Sequence, residues 1–206
     1  MTRPFLLGLM AWAMSACRGD DRQPAAQAVP PRAADAAAPP AVPDSEYDIA
    51  VQLRRFRAAV GDHPATLAGA EASRDALVRR FVRAVEAADT STLERMQLSA
   101  GEFAYSYYPD NKLSRPPYEL EPQLMWQQMQ SEGDRGRARL LRRYGGKPLR
   151  FRSLDCQPPE RQGNSLLHAC RVRHGTVDGP PLDERLFGAI LEQHGRFKFV
   201  SYSNTL

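Results

Sequence analysis

The residue in this sequence best placed to do chemistry is His168, which stands in a stretch of alternating residues. It alternates with Leu166 and Cys170 on a predicted strand, so its imidazole is expected to point inward. Beside a phenol or a carboxylate, an inward imidazole can act as a general acid or base. The competing interpretation is a core histidine whose hydrogen bonds are satisfied. We favour it because one titratable group alone is a weak sign of a site.

Aromatic residues concentrate near the middle of the chain. They are Phe103, Tyr105, Tyr107, Tyr108 and Tyr118. Three of them, Tyr105, Tyr107 and Tyr108, could line a ligand pocket in which phenols point at a polar ligand. With His168 they form the candidate pocket. The alternative, which we favour, is ordinary packing between helices and a sheet, since aromatic side chains dominate protein cores.

The segment of the chain with the most one-sided charge is basic. It contains no acid between its first and last cation, and it comprises Arg135, Arg137, Arg139, Arg142, Arg143, Lys147, Arg150 and Arg152. A helix predicted here has an apolar side at Leu140, Leu141 and Tyr144. Its outer side carries the candidate anion patch, which consists of Arg135, Arg139, Arg142 and Arg143. Such a patch could bind anionic lipid head groups or an acidic polymer. A solvated basic face is the alternative, and it is favoured because such faces are common.

Familiar catalytic motifs are missing from the sequence. It has no glycine loop that cradles phosphate, no Gly-x-Ser-x-Gly, no His-Glu-x-x-His and no calcium-loop spacing. No cofactor is therefore expected, and the expectation of an enzyme is lowered. The formal net charge of +4 and the pI of about 9.1 are too mild for a dedicated nucleic-acid binder.

The first seventeen residues have the architecture of an export signal. Arg3 precedes an apolar run from Phe5 to Met14, and small residues follow the run. The run is too short to span a bilayer, which needs about 20 residues. Its end, Met14-Ser15-Ala16-Cys17, resembles the lipobox of bacterial lipoproteins, in which a peptidase cuts before a cysteine that is lipid-modified. The resemblance implies a mature protein that begins at an acylated Cys17.

The same resemblance implies a location in the bacterial cell envelope, anchored by lipid and facing the periplasm. Arg18 stands where an aspartate would favour the inner membrane, so the outer membrane is expected. Nucleic acid is an unexpected partner in this compartment. The alternatives are an ordinary signal peptide with an incidental cysteine, or an uncleaved membrane helix.

Two cysteines, Cys156 and Cys170, remain once Cys17 is assigned to lipid. In the oxidising compartment that the signal implies, they are expected to form a disulfide. The competing interpretation is a metal site with His168 or His174 as further ligands. The two cysteines lack the close Cys-x-x-Cys spacing of structural zinc sites, which favours the disulfide.

The composition divides the chain into four parts. Residues 1–16 are the predicted signal peptide, and residues 17–43 are an Ala/Pro-rich tether that cannot offset its ordering entropy and is expected to be disordered. An accessory helix and loop are predicted over residues 44–70, and a folded domain over residues 71–206. A hydrophobic fraction of 42% and a charged fraction of 25% suit one ordinary domain.

Hydrophobic periodicity predicts helices first and strands last. Apolar residues recur with the helical period up to about residue 144, and alternate with a period of two after it. The helices are expected to start at Asp44 or Ser45, Ser73, Asp89, Ser99, Pro122 and Asp134. The strands are expected over residues 149–156, 165–174, 185–193 and 196–203. Lys198 alternates with Phe197 and Phe199, which predicts a half-exposed strand.

This order predicts an α+β fold, with helices packed on a curved antiparallel sheet of about four or more strands. Over residues 71–206 the order and length resemble the NTF2-like, or cystatin-like cone, fold. Three runs also resemble uncharacterised bacterial envelope proteins: Glu102-Phe-Ala-Tyr-Ser-Tyr-Tyr-Pro109, Arg115-Pro-Pro-Tyr-Glu119, and the residues from Leu186-Phe-Gly to Asn204. The second resemblance implies no activity.

The expected function is that of a lipid-anchored envelope protein whose NTF2-like domain binds a small ligand or an envelope partner without catalysis. One alternative is a small-molecule isomerase, dehydratase or hydrolase that uses His168 with the tyrosines at 105 to 108, because some NTF2-like enzymes carry an inward acid or base. A purely structural lipoprotein is the second alternative. The expected partners are the membrane through acylated Cys17, an anionic lipid or envelope polymer, and a small molecule.

Overall fold

The computed structural model describes residues 48–175 and 179–206. The predicted signal peptide, the tether and Cys17 lie outside these residues. Helix α1 spans Ile49–Val60, and its N-cap is Asp48 rather than the predicted Asp44 or Ser45. The Asp48 carboxylate accepts a hydrogen bond from the backbone N–H of Ala50 at 2.7 Å. Gly61, at a φ of 69°, ends the helix as predicted.

The next three helices begin at their predicted caps. They are α2 (Arg74–Glu86), α3 (Thr90–Arg95) and α4 (Ala100–Glu102). Ser73, Asp89 and Ser99 each accept a hydrogen bond from a backbone N–H of the first turn. A π-helical turn (Phe103–Tyr107) and two 3₁₀ turns (Tyr108–Asp110, Lys112–Ser114) follow α4.

Helix α5 spans Pro122–Tyr144, so the prediction of two helices that start at Pro122 and Asp134 is wrong. Glycine is a poor helix former, yet Gly133 and Gly136 both lie inside this helix. Both glycines are buried where another part of the chain approaches the helix, and they provide the room for that contact. None of the helices within the described ranges is long and apolar enough to cross a bilayer.

The strands form one antiparallel sheet that does not close. They are β1 (Phe151–Cys156), β2 (Glu160–Gln162), β3 (Ser165–His174), β4 (Leu182–Glu184), β5 (Ala189–Gln193) and β6 (Arg196–Phe199). The main order is β1-β3-β5-β6, and β2 and β4 each pair with β3. The α+β class is therefore confirmed, as is a sheet of more than four strands.

Three predicted strands are shorter in the structure, and the first of them begins at Phe151 rather than at residue 149. The first half of the predicted strand 185–193 is a connection between β4 and β5, in which Leu186 and Phe187 are both fully buried. The irregular backbone lets two consecutive side chains point into the core, which a regular strand would send to opposite faces. The last strand ends at Phe199 rather than at residue 203. The tight hairpin at His194-Gly195 is confirmed, with φ of 51° and 70° at its two residues.

Each face of the sheet buries side chains, but one face is exposed along the second half of β3, at Ala169, Arg171 and Arg173. On one face Phe81 of α2 meets Phe187, Phe199 and Tyr202, all fully buried. Their ring centroids are 4.6 to 6.0 Å apart. The opposite face lies under a cluster that contains Leu67, Leu98, Leu191 and Val200. A third cluster joins α1 to α5 and contains Phe56, Phe103, Ala104, Tyr108 and Met125.

Lys198 lies on the second buried face, so the prediction of a half-exposed residue is wrong. Its Nζ is 2.7 Å and 2.9 Å from the two carboxylate oxygens of Glu102, and it donates to the Ala68 carbonyl at 2.8 Å. The Glu102 side chain is fully buried, and it also accepts hydrogen bonds from the backbone N–H groups of Ala68 and Ser99. Both charges are therefore paired and hydrogen-bonded, which burial requires.

The predicted disulfide between Cys156 and Cys170 is present. The two residues are direct partners across β1 and β3, and their Sγ atoms are 2.12 Å apart. Cys170 is buried and Cys156 is half-buried, on the same sheet face as the Phe81 cluster. The bond thus ties the edge strand β1 to the central strand.

Replacing both cysteines by serine is expected to lower the free energy of unfolding by about 3 kcal/mol in the chain-entropy account of a short loop. The two cysteines are 14 residues apart, which sets the loop length. Urea unfolding of the two proteins measures the difference. Dithiothreitol should destabilise the unaltered protein by a similar amount and leave the double variant unchanged. Equal stabilities would contradict a stabilising bond.

Candidate functional site

His168 faces inward as predicted, and both of its ring nitrogens have partners. Only 4% of its side chain is exposed. Its Nε2 is 2.7 Å from a carboxylate oxygen of Glu192 on β5, and its Nδ1 is 3.3 Å from a guanidinium nitrogen of Arg74 at the start of α2. Because a guanidinium can only donate, Nδ1 accepts and Nε2–H donates to Glu192. The His168 ring is therefore oriented by the Glu192 carboxylate.

Arg74 also lines a surface depression of about 430 Å³. The lining residues are Ala72, Ser73, Arg74, Asp75, Leu154, Cys156 and Phe197. His168 is not among them, although its ring lies 6.1 Å from that of Phe197. A ligand in the depression would therefore meet the Arg74 guanidinium. His168 could exchange a proton with such a ligand only if Arg74 moved away from Nδ1.

The tyrosines of the candidate pocket belong to the cluster between α1 and α5. The Tyr108 hydroxyl donates to the Leu120 carbonyl at 2.7 Å, and burial raises the pKa of Tyr108 to about 12, with the charges of Glu121 and Glu119 adding to the effect. Burial likewise raises the pKa of Tyr107 to about 12. Both phenols therefore stay protonated at neutral pH.

Tyr105 is held in a stack at the surface of the same cluster. The His63 ring lies 3.9 Å from the Tyr105 ring, and the Arg57 guanidinium lies 4.4 Å from it. Arg57 also donates two hydrogen bonds to the Ala104 carbonyl in the π-helical turn. His168 bonds instead to Arg74 and Glu192, so the members of the candidate pocket are engaged in two different parts of the domain.

A second polar network lies at the other end of β3, around Glu184. The Tyr144 hydroxyl donates to Glu184 Oε2 at 2.5 Å, His174 Nε2 is 3.0 Å from the same oxygen, and Arg143 pairs with Oε1 at 3.0 Å. Among the residues that the structure describes, His174 Nδ1 is buried and has no hydrogen-bond partner. The sequence predicts no role for His174 beyond that of a possible metal ligand. His174 and His168 lie an even number of positions apart on β3, so both side chains are on the same face of the strand. This pattern in the sequence indicates that His174 points inward like His168.

Among residues 48–175 and 179–206, no group of three histidines, cysteines or acids is arranged to hold a metal ion. Cys156 and Cys170 bond to each other, while His168 and His174 each bond to a separate glutamate. His168 and His174 therefore bond to two different carboxylates. Neither histidine joins the two cysteines in the metal site that is the alternative to a disulfide.

Opposing effects set the pKa of Glu184. Burial, the largest of them, would raise it, but hydrogen bonds from Tyr144 and His174 and the charge of Arg143 together hold the pKa below its usual value. The pKa of Tyr144 is raised by burial and then by its hydrogen bond to Glu184 and the charge of that carboxylate. The network is therefore organised around an ionised Glu184.

Because the pKa of Glu184 is lowered in the folded state, its stabilising contribution is complete above the unfolded value of about 4.3 and declines as the pH falls below it. Glu184→Gln should be less stable than the unaltered protein at pH 6, and the difference should shrink towards pH 3. Urea unfolding of the two proteins between pH 6 and pH 3 measures this difference in stability. A difference that stays constant over the range would contradict an ionised Glu184 as the source.

The four arginines of the candidate anion patch have different environments. Arg135 pairs with Glu132, and Arg139 donates to the side chain and backbone carbonyl of Asn204. Arg143 pairs with Glu184, and Arg142 is exposed. Arg142 and Arg143 are exposed near the C-terminal end of this helix, where Lys147 follows, and Arg135 is exposed nearer its middle.

Comparison of the chain with known proteins finds no matching protein-family model, no matching curated protein and no matching solved structure.

Proposed function

We propose that this chain is a lipid-anchored protein of the bacterial cell envelope whose NTF2-like domain binds a small ligand or an envelope partner without catalysis. The leader and its ending at Cys17 support the location, because they resemble the signal and lipobox of bacterial lipoproteins. Helices followed by an antiparallel sheet support the NTF2-like assignment. In this proposal the tether holds the domain near the membrane.

One observation carries the non-catalytic part of the proposal: the sheet face where His168 lies is filled by aromatic side chains. Phe81, Phe187, Phe199 and Tyr202 are fully buried against one another there. An enzyme of this fold needs a concave pocket in which substrate reaches the acid or base. With the interior occupied, a ligand or partner would bind at the surface, such as the depression beside Arg74.

Two measurements test the proposal. Mass spectrometry of the protein purified from its native host should find an N-terminus at Cys17 that carries acyl mass. Retention of Met1, or an unmodified Cys17, would overturn the anchor. Mass spectrometry of molecules that copurify with the protein should find a ligand or partner that stays chemically unchanged on incubation. Conversion of that molecule would overturn the non-catalytic assignment.

The hydrogen bond of His168 to Glu192 favours a second candidate, a small-molecule isomerase, dehydratase or hydrolase. A carboxylate that orients an imidazole is a common arrangement of general bases. The test is incubation of an envelope extract with the protein and with His168→Gln. A compound consumed by the first and not by the second would establish this candidate. Equal profiles would remove it.

A further inference from the structure

Six arginine and lysine side chains are buried or half-buried within residues 48–175 and 179–206, and five of them have an oxygen partner. Three are in ion pairs, and two donate to carbonyl oxygens: Arg80, Arg137 and Lys198, and Arg57 and Arg139. The sixth is Arg74, whose partner in the same ranges is the Nδ1 of His168 at 3.3 Å. A ring nitrogen that accepts a hydrogen bond carries no negative charge. Arg74 therefore lacks the anion or carbonyl oxygen that every other half-buried cation of these ranges has, although burial of a charge favours such a partner.

The Arg74 guanidinium is anchored at the wall of the surface depression of about 430 Å³. Its anchor, His168, is only 4% exposed and is itself bonded to Glu192. The contact with His168 uses one N–H of a guanidinium that has five, so further donors remain for a ligand. The volume lies within the range of small-molecule sites, about 300–1,000 Å³.

The other side chains of the depression restrict the charge and shape of a ligand. Asp75 also lines it, and its exposed carboxylate would repel a doubly charged phosphate more strongly than a singly charged carboxylate. Leu154 and Phe197 are half-buried in the wall and offer apolar contacts. A guanidinium with free donors matches a carboxylate through two parallel hydrogen bonds.

We infer that the depression beside Arg74 binds a small carboxylate. The carboxylate group of the ligand meets the Arg74 guanidinium, and its apolar part lies against Leu154 and Phe197. The inference rests on the proposed function, because it names the class of ligand that the domain binds. A carboxylate there would give Arg74 the anionic partner that it lacks within the described part of the chain.

The experiment is an NMR titration of the chain from residue 18, which keeps every described element, with phenylacetate. The largest shifts are expected in resonances of Ala72, Arg74, Leu154 and Phe197. Phenylacetamide has the same shape without the charge, so it should bind at least about tenfold more weakly. Phenyl phosphate tests the other class of anion, and it should also bind more weakly than phenylacetate.

Four variants locate the site. Arg74→Gln should weaken phenylacetate binding at least about tenfold. Asp75→Asn should strengthen it, because a repelling charge is removed. Ala72→Phe fills the depression from an exposed position and leaves both charges in place, so it should also abolish binding. The matched control is Arg83→Gln, which removes a positive charge from an exposed position of α2 outside this depression and should change the affinity by less than about twofold.

Urea unfolding of each variant separates a lost site from a lost fold. Ala72→Phe keeps the contact between Arg74 and His168, so it tests the site even if Arg74→Gln is unstable.

Four outcomes would overturn the inference: no binding of phenylacetate, equal binding of phenylacetamide, shifts confined to residues outside the depression, or binding that survives both Arg74→Gln and Ala72→Phe. Tighter binding of phenyl phosphate would overturn the assignment to carboxylates. The probe is added to a chain without an acyl group, so the result is independent of Cys17 and of the molecule that copurifies. Conversion of that molecule would overturn the non-catalytic proposal alone, whereas a failed titration would overturn the carboxylate site alone.

Discussion

Replacing Lys198 by methionine is expected to lower the free energy of unfolding by about 3–5 kcal/mol. Methionine fills a similar volume, so the loss comes from the charge. The Glu102 carboxylate would remain fully buried without its cation, keeping only its hydrogen bonds from Ala68 and Ser99. Guanidinium chloride unfolding at pH 7 measures the change.

Lys112→Met is the matched control for this prediction. Lys112 pairs with Glu160 at 3.5 Å, and the two side chains are 66% and 57% exposed. Water screens such a pair, so its loss should cost less than about 1 kcal/mol. If the two variants were equally stable, burial would not be what makes the Lys198–Glu102 pair important.

Substituting Gly136 by alanine is expected to cost about 3 kcal/mol, the upper part of the range for overpacking. A Cβ at this position would overlap the carbonyl oxygen of Tyr202, which is backbone and cannot rotate away. The Asn204 side chain also donates to the Gly136 carbonyl at 2.9 Å, so the two segments are held together. Alanine would therefore force α5 away from the segment that follows β6. Thermal or urea unfolding measures the loss.

Gly133→Ala provides the comparison, three residues earlier in the same helix. Its Cβ would approach the end of the Gln97 side chain, at 2.8 Å, and the Gln97 amide has no hydrogen-bond partner to lose within the described part of the chain. Alanine is favoured over glycine in a helix by about 1 kcal/mol, which should offset the adjustment. We expect a stability near that of the unaltered protein. A loss as large as that of Gly136→Ala would show that helix geometry, rather than the Tyr202 contact, sets the cost.

Local signals in the sequence predicted four of the six helix starts. Ser73, Asp89 and Ser99 cap helices because their side chains accept hydrogen bonds from backbone N–H groups three residues on, a contact that adjacent residues determine. The break proposed in α5 failed because the contacts that require its glycines come from Gln97 and Tyr202, far away in the chain. Glycine signals a turn by default, and only the tertiary structure shows when it is a point of close approach.

The same limit applies to charged residues in the core and in the candidate site. Lys198 looked half-exposed because its partner, Glu102, is 96 residues away. The inward direction of His168 followed from strand alternation, whereas its partners Arg74 and Glu192 depend on how α2 and β5 pack against β3. Alternation predicts which face a side chain occupies, and packing decides its neighbours.

The contact between α5 and the segment after β6 also bears on the order in which the domain can assemble. Phe199 and Tyr202 complete the aromatic cluster around Phe81, and Asn204 bonds to both Gly136 and Leu186. Because a chain is synthesised from its N-terminus, Phe81 and α5 would stay uncovered until residues 199–204 have been made. Burial of the apolar interior would therefore be delayed until residues 199–204 have been synthesised.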